Sequence, residues 1–102
     1  LLTYKFKGNG LYLLDEPEAA LSPSRQLSAL ALIHHLVQRE SQFIIATHSP
    51  ILMAYPGARI FLFDEDGIRE TRYEDTDHYR IARDFLTHRE EILRALFTGP
   101  DE

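Results

Sequence analysis

Two short apolar runs, each ending in polar residues that can take part in catalysis, constrain the fold of this chain more than any other feature. The first run ends in Asp15 and Glu16, and the second ends in Thr47 and His48. Both runs are short and β-prone, and a segment with helical periodicity lies between them. This pattern predicts a βαβ unit with a parallel sheet. A right-handed crossover would make the two strands neighbours that point the same way.

The carboxyl ends of these two strands form the candidate functional site. Ligands of open α/β sheets bind outside the carboxyl ends of the strands. Asp15, Glu16 and His48 all follow such ends, so we expect their side chains to lie at one edge of the sheet and to face a common cleft. Two acids and an imidazole in one cleft suit metal-assisted phosphate chemistry.

The remaining local patterns predict the order of the elements. Ser22 followed by Pro23 indicates a helix start, because a hydroxyl caps free amides and proline fits the first helical position. Asp66 followed by Gly67 indicates a hairpin turn. The first strand is rich in leucine without alternation, which favours burial on both faces. In chain order we predict the end of a helix (1–6), a turn (7–10), a strand (11–15), a loop (16–21), a helix (23 to about 40), a strand (42–47), a helical turn (50–54), a strand (59–63), a hairpin strand (68–73) and helical segments from about residue 75 onward.

Three segments resemble motifs of the ABC-type ATPases. Residues 11–18, LYLLDEPE, resemble the Walker B motif and the catalytic glutamate that follows it. Residues 19–23, AALSP, are similar to the D-loop, and residues 46–50, ATHSP, resemble the switch-histidine loop. The DEPE and THSP forms are closest to a predicted-ATPase branch near the recombination-repair and OLD-like ATPases. The resemblance implies an α/β fold, the C-terminal part of a P-loop NTPase domain of ABC type, with a parallel βαβ core, a following β-hairpin and C-terminal helices.

The resemblance also implies a role for each residue at the strand ends. Asp15 would hold Mg²⁺, usually through water, because a carboxylate is a hard oxygen ligand. Glu16 would orient and deprotonate the attacking water, and His48 would hydrogen-bond the γ-phosphate. The implied function is ATP binding and hydrolysis, with ATP and Mg²⁺ as cofactors in the complete domain. The implied partner is a second ATPase domain in a head-to-tail dimer.

Two parts of the family's nucleotide site are not found in the sequence. Neither a G-x-x-x-x-G-K-[ST] P-loop nor an LSGG-like signature occurs in the 102 residues. We therefore expect residues 1–102 to be a single partial domain, the C-terminal half, whose partner is the N-terminal half that holds the phosphates through backbone amides and a lysine. Alone, the chain is expected neither to bind ATP tightly nor to hydrolyse it, and its unpaired strand edges are expected to favour self-association.

Composition limits the partners of this segment. The net charge is −5 at pH 7, whereas non-specific binding to nucleic acid depends on lysine and arginine. No apolar run approaches the roughly 20 residues that cross a bilayer. The segment therefore indicates neither a nucleic-acid nor a membrane partner. The sequence has no cysteine, which fits a reducing compartment, and we expect a cytoplasmic protein.

Two other functions fit parts of the sequence. A Mg²⁺-dependent nuclease centre of the Toprim type would use Asp64, Glu65 and Asp66 with an upstream glutamate, but it leaves the pairing of Glu16 with His48 unexplained. A non-enzymatic hypothesis makes the chain an interaction or dimerisation fragment. A P-loop encoded upstream would favour the ATPase over the fragment, and DNA cleavage without ATP would favour the nuclease.

Several polar residues have simpler structural explanations. The acidic residues 64–66 have the composition of an exposed hairpin turn. His34 and His35 are adjacent on the predicted helix and do not face the same way, so no metal is assigned to them. Ser22 lies where a D-loop would contact a partner domain, but its capping role accounts for it equally well. Alternating charges in the C-terminal segments predict a salt-bridged helix surface.

Overall fold

The computed structural model describes residues 10–99 of the chain. The predicted helix end at residues 1–6 and the first part of the turn, residues 7–9, lie outside the described residues. The chain groups into two compact units, Leu1–Ala58 and Arg59–Glu102. Each unit contains a two-stranded sheet. The hypothesis that the whole chain is one partial domain stays a prediction.

The first unit contains the βαβ arrangement that the strand and helix patterns predict. Its elements are β1 (Leu11–Asp15), a 3₁₀ turn (Pro17–Ala20), α1 (Pro23–Val37), β2 (Gln42–Ala46) and a second 3₁₀ turn (Leu52–Ala54). β1 and β2 pair in parallel, with Leu11 opposite Gln42 and Asp15 opposite Ala46. The two strands therefore end side by side, and the residues that follow them start from the same edge of the sheet.

The segment between β1 and α1 is more regular than the predicted loop over residues 16–21. It forms one 3₁₀ turn, in which the Ala19 amide donates to the Glu16 carbonyl and the Leu21 amide donates to the Glu18 carbonyl. Proline at the first position explains the turn, because its fixed φ fits helical backbone and it has no amide to leave unpaired. The predicted loop over residues 16–21 therefore contains one 3₁₀ turn, which the sequence analysis did not predict.

Helix α1 begins where the sequence predicts and ends earlier. The Ser22 hydroxyl accepts a hydrogen bond from the Arg25 amide at 3.3 Å, which confirms the predicted cap. The helix stops at Val37 instead of near residue 40. Glu40 adopts a left-handed backbone with φ of 65°, and the Ser41 amide donates to the Leu36 carbonyl at 3.0 Å. The chain changes direction at these residues, so that β2 can begin at Gln42 beside β1.

One face of the β1–β2 sheet is covered, and the core of the first unit lies there. Helix α1 packs against β2. The Tyr12 side chain is only 2% exposed, and its ring stacks on that of Phe43 with centroids 4.8 Å apart. The buried apolar residues of the described chain are Tyr12, Ile33, Leu36, Leu52 and Met53.

The other face of this sheet is exposed within residues 10–99. Leu11, Leu13 and Ile44 share that face, because side chains alternate along a strand and Leu13 lies opposite Ile44. Their exposed fractions are 56%, 63% and 57%. The predicted burial of β1 on both faces is therefore wrong for the described residues. Parallel sheets are normally covered by helices on both faces, and here α1 covers only one.

The second unit begins with a hairpin and continues as helices. Its elements are β3 (Ile60–Asp64), β4 (Gly67–Thr71), a 3₁₀ turn (Tyr73–Asp75), α2 (Asp77–Thr87) and α3 (Arg89–Thr98). β3 and β4 pair antiparallel, with Asp64 opposite Gly67, so the predicted hairpin is confirmed with strand bounds shifted by one or two residues. Gly67 has φ of 120°, a conformation that glycine adopts without strain from a side chain.

Helix α2 is capped by a side chain and carries part of the predicted charged surface, whereas the N-cap residue of α3, His88, provides no side-chain cap. Thr76 is fully buried, and its hydroxyl accepts a hydrogen bond from the Tyr79 amide at the start of α2. On the surface of α2, the Arg83 guanidinium lies 3.1 Å from the Asp84 carboxylate. None of the helices formed by the described residues has the length and apolar character that crossing a membrane requires.

Candidate functional site

The chain turns sharply as it leaves β1, and Glu16 makes the turn. The Glu16 amide donates to the Ala46 carbonyl at 2.7 Å, which extends the contact with β2 by one residue. Its own backbone is left-handed, with φ of 46° and ψ of 54°. A residue other than glycine is uncommon in this conformation and pays a steric cost there. The next residue, Pro17, is buried and starts the 3₁₀ turn, so Glu16 is held at the rim of the sheet.

Glu16 and His48 come together as the strand-end argument predicts. The His48 Nδ1 atom lies 3.4 Å from Glu16 Oε1. Both side chains face solvent, with exposed fractions of 73% for His48 and 57% for Glu16. A carboxylate and an imidazole are therefore adjacent and accessible at the carboxyl ends of two neighbouring parallel strands. The catalytic roles of these residues stay predictions.

Asp15 lies at the same edge but does not join this pair. It is the last residue of β1 and lies opposite Ala46, with an exposed side chain. Among the described residues, the close cluster of potential metal-binding side chains consists of Glu16, Glu18 and His48, whose ligand atoms lie within 4.8 Å of one another. The structure thus places Asp15 at the predicted edge and brings Glu16 and His48, but not Asp15, into close contact.

Glu18 is the residue that sequence reasoning missed. Its Oε1 atom accepts a hydrogen bond from the Thr47 hydroxyl at 2.6 Å, and its Oε2 atom accepts one from the His48 amide at 2.9 Å. The Ser49 amide in turn donates to the Thr47 hydroxyl oxygen at 3.0 Å. The available signal was weak: a glutamate just past the first strand end, and a threonine hydroxyl at the second.

The electrostatic state of Glu18 follows from these contacts. Partial burial alone would raise the pKa of Glu18, since it disfavours the charged form. The hydrogen bonds from the Thr47 hydroxyl and the His48 amide act in the opposite direction and outweigh burial. The pKa of Glu18 therefore lies below its ordinary value, and the side chain is a carboxylate that accepts both bonds.

A second set of polar contacts fixes the chain just beyond His48. The buried Ser49 hydroxyl donates to Gln26 Oε1 at 2.5 Å and accepts hydrogen bonds from the amides of Ile51 and Leu52. The Gln26 side-chain amide donates to the Leu21 carbonyl at 3.2 Å. Gln26 on α1 thus links the segment before the helix to the segment after β2.

His34 and Asp64, two other polar residues singled out in the sequence, have partners within their own units. His34 Nδ1 lies 2.9 Å from the Tyr55 hydroxyl. In the hairpin turn, the Asp64 carboxylate accepts hydrogen bonds from the Asp66 amide at 2.9 Å and from the Arg69 guanidinium at 2.8 Å. These contacts give His34 and Asp64 structural roles within their own units.

Residues 1–54 match a family model described as AAA domain, putative AbiEii toxin, Type IV TA system. The match spans more than half of the 102 residues and includes Asp15, Glu16, Glu18 and His48. The chain belongs to this AAA-domain family. Membership indicates a P-loop NTPase-like domain with a nucleotide-binding, ATPase-like function. No curated protein and no solved structure matches the chain.

The exposed carboxylates of this AAA-domain chain fit Mg²⁺ better than they fit a phosphate chain. Asp15 and Glu16 offer hard oxygen atoms to solvent, which is the donor set that Mg²⁺ prefers. Over residues 10–99, no lysine or arginine forms an ion pair with Asp15, Glu16 or Glu18. Triphosphate binding requires donors that cradle its oxygens, and this edge supplies one imidazole for that purpose.

Proposed function

We propose that this AAA-domain chain is the C-terminal, catalytic half of an ABC-type ATPase domain that binds and hydrolyses ATP. The observation that carries the proposal is the 3.4 Å approach of His48 Nδ1 to Glu16 Oε1 at the adjacent ends of two parallel strands. A glutamate and a histidine at these positions are what the Walker B-like and switch-like segments imply. The family match supports the proposal because it covers both segments.

In this proposal the exposed Glu16 carboxylate orients the attacking water and accepts its proton at an Oε atom. His48 presents Nδ1 to Glu16, so Nε2 is the ring nitrogen that would face a γ-phosphate oxygen. Donation from Nδ1 to the carboxylate and from Nε2 to the phosphate at the same time requires the doubly protonated ring. Asp15 would hold Mg²⁺ at the same edge. When bound, Mg²⁺ supplies neutralisation of the charge on the β- and γ-phosphate oxygens.

The proposed partners are the half of the domain that carries the P-loop and a second ATPase domain. The first partner would supply the amide cradle and lysine that the β1–β2 edge lacks. It would also cover the face formed by Leu11, Leu13 and Ile44, since parallel strands are stable when both faces are buried. The second partner would complete the site as a head-to-tail dimer.

Substitution of Glu16 in an ATPase that contains the P-loop half tests the proposal. Glu16→Gln should lower turnover by about 10²–10⁴-fold, which is roughly 3–5 kcal/mol of barrier, because the amide keeps the shape and loses the base. ATP binding should persist. Glu65→Gln, which changes an exposed glutamate of the hairpin turn, is the matched control and should leave turnover unchanged. Turnover of Glu16→Gln within a few-fold of wild type would remove Glu16 from the general-base role.

Calorimetry on the chain alone tests the proposed division into halves. With MgATP, we expect no dissociation constant in the micromolar range, because this edge lacks an amide cradle and a lysine and its carboxylates repel a nucleotide that is still negatively charged. A micromolar constant would mean that this half carries its own phosphate site. The nuclease alternative has a separate signature, since it predicts metal-dependent DNA cleavage that needs no ATP and is lost in Asp64→Asn.

A further inference from the structure

Glu18 joins the end of β1 to the segment that carries His48 through both of its carboxylate oxygens. One oxygen accepts from the Thr47 hydroxyl at 2.6 Å and the other accepts from the His48 amide at 2.9 Å. We propose that Glu18 is a positioning residue that holds residues 47–48 against the end of β1 and thereby sets the place of the His48 imidazole beside Glu16. This inference rests on the proposed function of Glu16 and His48.

The contact between the Glu16 and His48 side chains is too exposed to fix the position of the His48 ring. Its two side chains are 57% and 73% exposed, and exposed pairs contribute little because water screens them. The Glu18 carboxylate is half-buried, and hydrogen bonds to an ionised acceptor are roughly twice as strong as neutral ones. The stronger contacts are therefore those that hold the backbone of His48, and the weaker contact is the one that its ring makes with Glu16.

The contacts around His48 leave little freedom to its backbone. On one side, the Thr47 hydroxyl donates to Glu18 and accepts from the Ser49 amide. On the other side, the buried Ser49 hydroxyl is tied to Gln26 of α1. The peptide groups flanking His48 are thus fixed, and its imidazole is left with rotation about its own side-chain bonds.

The backbone of residues 16–17 explains how Glu18 reaches β2. The left-handed conformation of Glu16 turns the chain at the end of β1, and the buried Pro17 starts a 3₁₀ turn. Glu18 follows within that turn and comes to lie beside the residues after β2. The same turn therefore exposes the carboxylate of Glu16 and directs that of Glu18 inward.

NMR on the full chain tests this inference by amide exchange and by Mn²⁺-induced line broadening. Glu18→Ala should speed hydrogen exchange of the His48 amide about 10- to 100-fold, because a hydrogen bond to a charged acceptor is lost. With Mn²⁺ as the probe, Thr47→Val, which keeps all three potential metal-binding side chains of Glu16, Glu18 and His48, should also reduce broadening of the His48 ring signals and leave broadening at Asp15 unchanged. A role in general stability alone would not move the ring relative to the ion.

Two conservative variants keep the test decisive. Thr47→Ser retains the hydroxyl and should behave as wild type, whereas Thr47→Val removes it and should reproduce part of the Glu18→Ala effect. Glu65→Ala controls for the loss of an exposed carboxylate elsewhere. If Glu18→Ala loses the Tyr12 and Phe43 ring signals of a folded core, the comparison of Thr47→Ser with Thr47→Val decides.

The outcomes separate this inference from the proposed function. Unchanged exchange in a folded Glu18→Ala protein, together with unchanged ring broadening in Thr47→Val, would overturn the positioning role. Absence of Mn²⁺ broadening at Asp15 in the wild-type chain would instead contradict the proposed metal site. Exchange of the His48 amide would then still decide whether Glu18 holds that segment.

Discussion

The ends of β1 and β3 both carry acidic residues after an apolar strand, yet these residues are held by very different partners. At the end of β1, Glu18 accepts hydrogen bonds from groups 29 and 30 residues further along the chain. At the end of β3, Asp64 accepts from the Asp66 amide and from Arg69, which are two and five residues away. The contacts of the first acidic end therefore join segments far apart in the chain, whereas those of the second stay within its own hairpin.

The backbone shows the same contrast. Both acidic ends need a residue with positive φ, and the hairpin uses Gly67 at 120° whereas the β1 end uses Glu16 at 46°. Glycine fills such a position without a steric penalty, but glutamate does not. Strained backbone at non-glycine residues clusters at functional sites, but it also occurs just beyond the end of α1, at Glu40. The positive φ of Glu16 therefore agrees with the proposed role of the β1 end only together with the contact between Glu16 and His48.

Among the changes that test this comparison, removal of the His48 side chain at the end of β2 should have the largest effect, and the effect should be on kcat. In an ATPase that contains the P-loop half, His48→Ala should lower kcat about 10²–10³-fold, the usual effect of losing one donor to a developing negative charge. His35→Ala, which removes an exposed histidine from α1, is the matched control and should leave kcat unchanged. Steady-state turnover measures both. Equal turnover of the two variants would contradict the role of His48.

Carboxylate removal should destabilise the first unit more than the second. Glu18→Ala should lower the free energy of unfolding by about 1.5–3 kcal/mol, since two donors lose a charged acceptor. Asp64→Ala should cost less than about 1 kcal/mol, because its ion pair with Arg69 is exposed. Denaturant titration of the chain measures both. Equal losses of unfolding free energy would contradict the expectation that the Glu18 contacts, which join distant parts of the chain, stabilise the fold more than the Asp64 contacts.

The positive φ of Gly67 gives a smaller effect in the hairpin. Gly67→Ala should lower the free energy of unfolding by about 1–2 kcal/mol, because a side chain is strained at φ of 120°. Glu16→Ala keeps a side chain at its left-handed position and should change stability by less than about 0.5 kcal/mol. Thermal unfolding of the two variants makes the comparison. A larger loss in Glu16→Ala would mean that the Glu16 carboxylate itself stabilises the fold.

Lowering the pH should reduce the stabilisation contributed by Glu18, and this is the smallest of the predicted effects. The pKa of Glu18 is lowered in the folded chain from the ordinary 4.5, so its contribution is fully present above that value and is lost as pH falls through the folded pKa. The difference in unfolding free energy between wild type and Glu18→Gln should therefore shrink as pH falls below 4.5. Denaturant titrations at several acidic pH values measure it. A difference that grows with acidity would reverse the assigned sign.

The sequence predicted the parts of this structure that depend on local pattern. The βαβ order, the cap at Ser22 and the hairpin at Asp66 all follow from residues close together in the chain, and the structure contains each of them. Parallel pairing of β1 and β2 was enough to predict that Glu16 and His48 lie close together, although no side-chain contact was known. Topology was sufficient for this much of the candidate site.

The contacts of Glu18 could not be predicted, because they depend on the conformation of Glu16. A left-handed glutamate has no sequence signature, and without that turn Glu18 would not reach the Thr47 hydroxyl. The end of α1 was missed for a similar reason, since Glu40 is also a non-glycine residue with positive φ. The exposed face of β1 depends on what covers the sheet, and a leucine-rich run does not identify its cover.

The left-handed backbone of Glu16 has a consequence for protein engineering. Glycine or asparagine adopts this conformation at lower steric cost, so a selection for heat resistance alone should favour Glu16→Gly or Glu16→Asn. Both substitutions delete the carboxylate that the proposed reaction requires. A library sorted by melting temperature would thus enrich inactive proteins at this one position, whereas a library sorted by turnover would keep the strained glutamate.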